Sequence, residues 1–465
     1  MFNYFPTRHR LTGALILQEQ SPIIQNPDVA IPSNNFDFIP RPIKRIFPIF
    51  LAIFLLTFLW VLFFWRILTP TPQDRLIFEP GDFTQHYYAF ADYQVERINQ
   101  GQFPLWNPYN HSGDPFAGNI QFAAFYPPRY LMAALVGRDG WSIEDYQLEV
   151  ALHYWLASLL MFAFLRIMTG RTSLAFFGSI LYAYSGYLTG YPLLQVSVLE
   201  SAIWLPLMML GAHLSVTRPG WWLTGGILGG IGIACSLFGG HPQTTMQLTY
   251  LTIAYLAFTG YQYGLNLFQI IIRLAILGLT GAGLSAIQLL PALEFTKLSY
   301  RVTDYGYADK ANGFLPSDLF QVAAPGLFGT WSPLYLGASG ILLALGAALR
   351  PRLTTLFWGT IIVIGLLLSL GSNSIVYDFF YLIVPGFGVF RQQERIASVI
   401  SFALIMLACD QLGWLLNRDP EADTQRQFQR YGYILYGYAG VITLIGIITI
   451  SISLFQARTG DAALL

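Results

Sequence analysis

The chain is 465 residues long, 54% hydrophobic and only 11% charged, whereas charged residues supply about a quarter of an ordinary soluble domain, so a soluble globular protein is excluded and a bilayer is the expected home. Its 25 basic residues balance 25 acidic ones; net charge gives no reason to expect nucleic acid or a strongly anionic partner, and function has to be read from local sites. Cys235 and Cys409 both fall inside apolar runs, which suggests neither a disulfide framework nor a thiolate metal site.

Residues 1–45 mix Pro, Asn, Gln and scattered aromatics, and their longest apolar piece, around LTGALIL, is far short of the roughly 18 residues a span needs. They read as a mobile, disordered cytoplasmic tail. They are not a secretory signal, because the first adequate apolar run begins near Ile46 and no small-residue cleavage site follows it. Windows of about 20 apolar residues then predict spans near 46–66, 147–168, 172–190, 193–214, 221–240, 244–262, 268–290, 333–349, 354–371, 395–416 and 431–455. The expected fold class is an all-α polytopic membrane protein with about eleven transmembrane helices. Residues 46–416 form the transmembrane domain, and 417–465 supply a cytoplasmic loop and a final transmembrane helix.

Orientation follows from the basic residues. RPIKR before the first span, Arg166, Arg171, Arg218, Arg273, RPR at 350–352, Arg418, Arg426 and Arg430 all land on one side, which the positive-inside rule makes cytoplasmic. The N-terminus is then cytoplasmic and the C-terminus outside, in a multi-pass plasma (inner) membrane protein. Three long connections, 67–146, 291–332 and 372–394, fall on the outer side. They are rich in aromatics and Pro, not Ser, Lys and Glu, and are expected to fold onto the membrane face with interfacial helices.

The first of these loops opens with EPGDFTQHYY, residues 79–88. A helix starting at Asp82 would gather Phe83, Tyr87, Phe90, Val95 and Ile98 on an apolar stripe and project Asp82, His86, Ala89 and Tyr93 elsewhere. Pro80-Gly81 before Asp82, with Gln85 three residues on, is the pattern of a capping box. A carboxylate at a membrane surface could equally accept a proton from an attacking hydroxyl, and the two roles are compatible. Gln85 and His86 are candidates to orient an acceptor or contact a phosphate, against simple hydrogen bonding at an interface.

The loop continues as GQFPLWNPYNHSGDPFAGNIQFAAFYPPRYL. The succession GD-x-x-Q-H-Y, GQFPLWNP, GDPFA and QFAAFYPP closely resembles the first outer loop of the bacterial YfhO-type membrane protein family. The resemblance continues through FGGHPQTTMQ at 238–247, GLSAIQLLPALEFTKLSYR at 283–301, APGLFGTWSPLYLGASGILLAL at 324–345 and VPGFGVFRQQERIA at 384–397, and so covers most of 46–416. Members of that family are often longer, with further spans and a large outer C-terminal domain. The resemblance implies a GT-C class glycosyltransferase that uses a polyprenyl-phosphate-linked sugar. Such enzymes place an acidic residue in the first outer loop as catalytic base, and Asp82 is the matching position. Asp114, in SGDPF, is a second acidic residue in a turn-like setting that favours a structural role.

Four further sets stand out. Arg391 and Arg395, with Glu394 between them, are an i, i+4 pair able to grip a lipid-linked phosphate or to anchor the interface. His241 and Gln243 in GGHPQ end a span beside two glycines. Arg301, Tyr305 and Tyr307 lie in the second outer loop. Trp106, Asn107, Gln121 and Tyr126 could line a sugar site or serve as ordinary interfacial residues.

The sequence shows no nucleotide fingerprint and no compact metal-ligand spacing. No nucleotide or organic cofactor is expected, and a divalent metal stays open. The expected partners are the bilayer, the lipid-linked sugar donor and a cell-envelope acceptor: a glycolipid, a teichoic-acid-like polymer or a polysaccharide. Nucleic acid is not among them. The alternatives are a transporter or flippase for lipid-linked sugars, or a non-catalytic GT-C-like scaffold. A transporter should carry charge at mid-span, where Glu200 is the main ionisable residue.

Overall fold

Capping chemistry marks where the long helices begin. Ser142 Oγ accepts from the Asp145 amide at 3.1 Å while the Asp145 carboxylate accepts from the Ser142 amide at 2.9 Å, and Asn266 and Gln269 repeat the reciprocal pattern. These are capping boxes, which satisfy amides that have no partner within the helix. The computed structural model describes residues 41–78, 80–110, 112–137, 140–190, 195–298, 306–326 and 331–417, with Gly432, Tyr433 and Gly437. The chain divides into Met1–Ile46 and Phe47–Leu465, and the packing described below lies within the second unit.

In chain order the principal helices are α1 (Arg41–Phe63), α2 (Ala89–Asn99), α3 (Pro127–Leu135), α4 (Ile143–Thr169), α5 (Thr172–Ala183), α6 (Val196–Ala202) and α7 (Leu205–Thr217). They continue with α8 (Trp222–Phe238), α9 (Pro242–Gln262), α10 (Leu267–Lys297), α11 (Ala338–Ala348), α12 (Leu353–Ser369), α13 (Ile375–Ile383) and α14 (Ala397–Leu415). Among the described residues no strand forms, and the Asn107–Asp114 pair is an isolated antiparallel bridge. The described residues are all-helical, and their apolar helices make this a multi-pass membrane protein. Among the described residues six stretches are long and apolar enough to cross a membrane: Ile46–Phe63, Ile143–Thr169, Val196–Thr217, Pro219–Phe238, Leu267–Lys297 and Gln393–Leu415. α11 and α12 are shorter apolar helices. The expected span at 431–455 and nearly all of the tail at 1–45 lie outside the described residues.

α7 packs on α8, α8 on α10, α4 on α5, and α14 on α11 and α12. Val196–Thr217 and Gln393–Leu415 are mostly enclosed by protein, whereas α10 leaves Leu279 74%, Leu290 65% and Ile287 56% exposed. In a bilayer such side chains meet lipid at no hydrophobic cost. Backbone contact explains the α7–α8 pairing. A Cβ on Gly211 would stand 2.2 Å from the Gly229 amide nitrogen, and one on Gly225 2.4 Å from that of Ser215. Small residues four apart let two helices approach this closely.

The first long connection is itself folded. It holds a π-helical turn at Phe83–Tyr88, then α2, a 3-10 turn at Ile120–Phe122, and α3. The third connection holds α13. The second begins later than expected, because α10 continues through Pro291 to Lys297.

Candidate functional site

Asp82 is exposed and begins the π-helical turn, but its carboxylate accepts no capping hydrogen bond. The expected Asp82–Gln85 capping box is therefore not formed. Its place is taken by Thr84, whose Oγ1 meets the Gly81 amide and carbonyl, both at 3.3 Å, while the Gln85 amide donates to Gly81 O at 2.8 Å. Phe83, fully buried between Phe78 and Tyr146 at 5.1 and 5.2 Å ring separation, anchors the turn. Gln85 is exposed. His86 rests its ring edge-on against Tyr87 and Phe90 at 4.9 and 4.8 Å. Burial lowers its pKa, and the nearby Asp82 charge opposes the shift. Tyr93, expected on the polar side, is instead buried against Phe116.

One turn on, the Tyr87 hydroxyl meets Ser197 Oγ at 3.0 Å. This contact leads to α6, the short helix on which the site converges. Helical spacing aims successive side chains of its strand of sequence at different neighbours. Gln195 Oε1 accepts from Arg395 Nη2 at 3.0 Å, Ser197 meets Tyr87, Glu200 pairs with Arg129, and Ser201 Oγ accepts from the His241 amide at 3.0 Å. The Gly239-Gly240 turn is pressed into the same place. A Cβ on Gly239 would fall 2.6 Å from Glu200 C, and one on Gly240, whose φ is +90°, 2.8 Å from Ile120 O and 3.3 Å from Gln121 Cα. Glycine alone fits both positions.

Arg395 is tied into this cluster. Nη1 donates to His241 Nε2 at 2.7 Å and to Gln243 Oε1 at 3.2 Å. A guanidinium has no acceptor, so Nε2 must carry the lone pair. The proton of a neutral ring then sits on Nδ1 and is donated to Thr244 Oγ1 at 2.8 Å. In that tautomer the 3.2 Å approach of the Thr244 amide to Nδ1 is a contact and no longer a hydrogen bond. Burial and the Arg395 charge hold the His241 pKa well below its usual value, consistent with this neutral form. Gln243 turns its Nε2 to the carbonyls of Arg391 and Gln392 at 2.8 and 3.3 Å. The expected i, i+4 pairing of Arg391 with Arg395 is not helical. Gln392 has φ +61° and residues 393–396 form a 3-10 turn, so α14 starts only at Ala397. Arg391 is exposed, and Glu394 and Arg395 are half-buried.

Below this lies a buried ionic group that sequence reading had touched only at Glu200. Arg129 Nε donates to both Glu149 oxygens at 2.6 and 2.7 Å, and Nη2 to Glu200 Oε1 at 2.7 Å, with side chains 3%, 1% and 2% exposed. Its guanidinium also lies over the Tyr146 ring, 5.0 Å from the centroid. Tyr126 is fully buried, its hydroxyl 2.7 Å from His153 Nε2 and within reach of Trp204 Nε1 at 3.3 Å. Tyr126 is thus a core residue and not a lining residue. Donor atoms of Glu149, His153 and Glu200 lie within 4.8 Å of one another, close enough for a metal ion. Both carboxylates already serve Arg129, and His153 is engaged by Tyr126 and by the Glu149 carbonyl at 2.7 Å. This donor set is committed and does not fit a metal.

The remaining candidates disperse. Asn107 is buried and exchanges two 2.8 Å backbone bonds with Asp114, its own Oδ1 accepting from the Tyr109 amide. Both are turn-building residues. Trp106 is 55% exposed, with its carbonyl held by the Tyr93 hydroxyl at 2.6 Å. Gln121 is half-buried beneath Gly240. Arg301 and Tyr305 lie outside the described residues. His241, Gln243 and Arg395 thus share one cluster, with Asp82 and His86 on the adjacent turn. Tyr87 connects the two. Burial pushes its phenol up to about 12, the Ser197 bond opposes the shift, and the charges of Asp82, Arg395 and Glu200 all reach it.

Sequence reading missed Gln195, Ser197, Arg129, Glu149 and His153. The signals were Glu149 and His153 four apart at the start of an apolar run, and one Arg within the apolar YPPRYL. Comparison of the chain with family models, curated proteins and solved structures finds no match in any of the three.

Proposed function

We propose that this chain is a GT-C-like membrane glycosyltransferase, akin to the YfhO-type proteins its loops resemble, with Asp82 as general base. The observation that carries the reading is the uncapped, exposed carboxylate of Asp82 on a turn anchored by Phe83 and Tyr87. With no capping hydrogen bond to occupy them, the oxygens are available to an incoming hydroxyl. The acceptor O–H loses its proton to Asp82 as its oxygen attacks the anomeric carbon. The bond from that carbon to the phosphate oxygen breaks with inversion, and polyprenyl phosphate leaves. The energy resides in the donor, so no nucleotide enters.

In this reading the fold has about eleven spans in the plasma membrane, a cytoplasmic N-terminus and an outside C-terminus. The loop that carries Asp82 then meets an envelope acceptor. In this reading Gln85 and His86, on the turn that carries Asp82, meet the acceptor or the sugar, and Trp106 and Gln121 are assigned to the same role. Arg391 and Glu394 border the donor phosphate, and Arg395, His241 and Gln243 set the backbone that presents them.

Purified protein assayed with radiolabelled polyprenyl-phosphate sugars tests the reading. Asp82→Asn should fold, insert and bind donor, yet transfer roughly 100- to 10,000-fold more slowly, the usual cost of losing a general base. Transfer near the wild-type rate would exclude Asp82 as the base. A flippase would move lipid-linked sugar regardless of this change, and a scaffold would show no transfer even in the wild type.

A further inference from the structure

The chain between α12 and α14 goes out and back alongside α9. After the 3-10 turn at Gly371–Asn373, α13 folds back onto α12. Near its start the Tyr377 hydroxyl meets Gln393 Nε2 at 3.2 Å. Farther along, the Pro385 carbonyl accepts from Tyr250 at 2.9 Å, and a Cβ on Gly386 would stand 2.2 Å from Met246 Sδ. Phe387 is buried with its ring 6.2 Å from that of Tyr250. The chain then returns to Gln243, which holds the carbonyls of Arg391 and Gln392. Gln243, Met246 and Tyr250 are successive turns of α9, so the hairpin tip reaches one to two turns, about 5–10 Å, farther along that helix than its ends.

The outward face of this hairpin is largely apolar, with Asp378 at its edge. Ile375 is 82% exposed, Phe379 56%, Leu382 80% and Ile383 64%, at the i, i+4, i+7, i+8 spacing of one helical face, and Val389 beyond them is 65% exposed. The opposite face, with Val376, Tyr377, Phe380 and Val384, packs into the core. Asp378 is the one charged residue between 374 and 390, and it accepts a hydrogen bond from the Tyr307 hydroxyl. A helix face this apolar belongs against protein or lipid, and at nine residues α13 is too short to cross.

Part of the tip's backbone is satisfied within the protein, as irregular backbone at membrane depth requires. Pro385 has no amide and its carbonyl is held by Tyr250. The amides of Val384, Phe387 and Val389 donate to Phe380, Val384 and Gly386 carbonyls at 2.9, 3.4 and 3.1 Å.

We propose that residues 375–390 form a re-entrant hairpin whose exposed face, Ile375, Phe379, Leu382, Ile383 and Val389, is seated among lipid acyl chains. Wild-type protein in phosphatidylcholine–phosphatidylglycerol vesicles carrying a diazirine-tagged acyl chain should yield adducts on the 375–390 peptide. Spin labels at Leu382→Cys and Phe379→Cys, in a Cys235→Ser background, should collide more with oxygen than with a water-soluble nickel chelate. Leu279→Cys on α10 should behave alike and Tyr109→Cys in the opposite way. Absence of adducts in the wild type overturns the proposal. So does a nickel chelate that reaches Leu382→Cys as freely as Tyr109→Cys, or exclusion of both reagents with dipolar broadening between molecules, which would identify a second copy as the cover.

Discussion

At Arg129 a single guanidinium serves two carboxylates, all three side chains nearly sealed from solvent. Removing the shared cation leaves two carboxylates without a partner in a low-dielectric interior, and breaking a buried pair costs about 3–5 kcal/mol. Arg129→Met should therefore lower the thermal unfolding temperature far more than Glu149→Gln, which keeps one carboxylate and the guanidinium paired. Equal loss in the two variants would mean that Arg129 acts by volume alone. His241 permits a second residue-scale test. Its folded pKa lies well below the usual 6.5, so below about pH 6.5 the unfolded chain binds a proton that the folded chain refuses. Stability contributed by the neutral ring is complete above that pH and is lost as pH falls, at up to about 1.4 kcal/mol per unit. Denaturation in detergent followed from pH 7.5 to about pH 5 should show this acid weakening in the wild type and a flatter profile in His241→Gln.

Between elements, the closest contact is that of α7 with α8, where backbone meets backbone. Gly211→Ala would drive a methyl to within 2.2 Å of the Gly229 nitrogen, and the helices would have to separate. Overpacking of this kind costs about 1–3 kcal/mol, which a melting curve or the monodisperse fraction after extraction should register. Gly278→Ala on α10, with nothing within 4 Å of its Cβ, should be neutral or slightly stabilising, since Ala is the better helix former by about 1 kcal/mol. A comparable loss at both positions would deny the close α7–α8 seam. α6 shows the same dependence on proximity. Its seven residues hold Tyr87, Arg129 and His241 from three distant segments, and a helix so short owes its stability to packing, not to propensity.

For the whole molecule, the distribution of Lys and Arg predicts that the loop carrying Asp82 faces outward. Tyr109 is 83% exposed in that loop. Tyr109→Cys should be labelled by an impermeant thiol reagent in intact cells, or in spheroplasts where an outer membrane intervenes. Labelling only after lysis would place the loop in the cytoplasm and end the catalytic reading with it. Composition and run length were enough to establish a helical, multi-pass membrane protein, because 20-residue apolar stretches are legible one residue at a time and depend on no distant contact. The early run at Ile46–Phe63 was legible in this way. The capping box at Asp82 was a local pattern too, but in the structure Phe83 packs between Phe78 and Tyr146, the turn is π-helical, and the Gly81 amide meets Thr84 instead. Arg391 and Arg395 are four apart in any reading, yet Gln243 holds the carbonyls of Arg391 and Gln392, and the backbone there leaves the helical path. Partners such as Arg129 with Glu149 and Glu200, or Arg395 with Gln195 and His241, come from positions 20 to 200 residues apart. Such pairs are decided by which helix faces meet, and periodicity along a single helix carries no information about the face across from it.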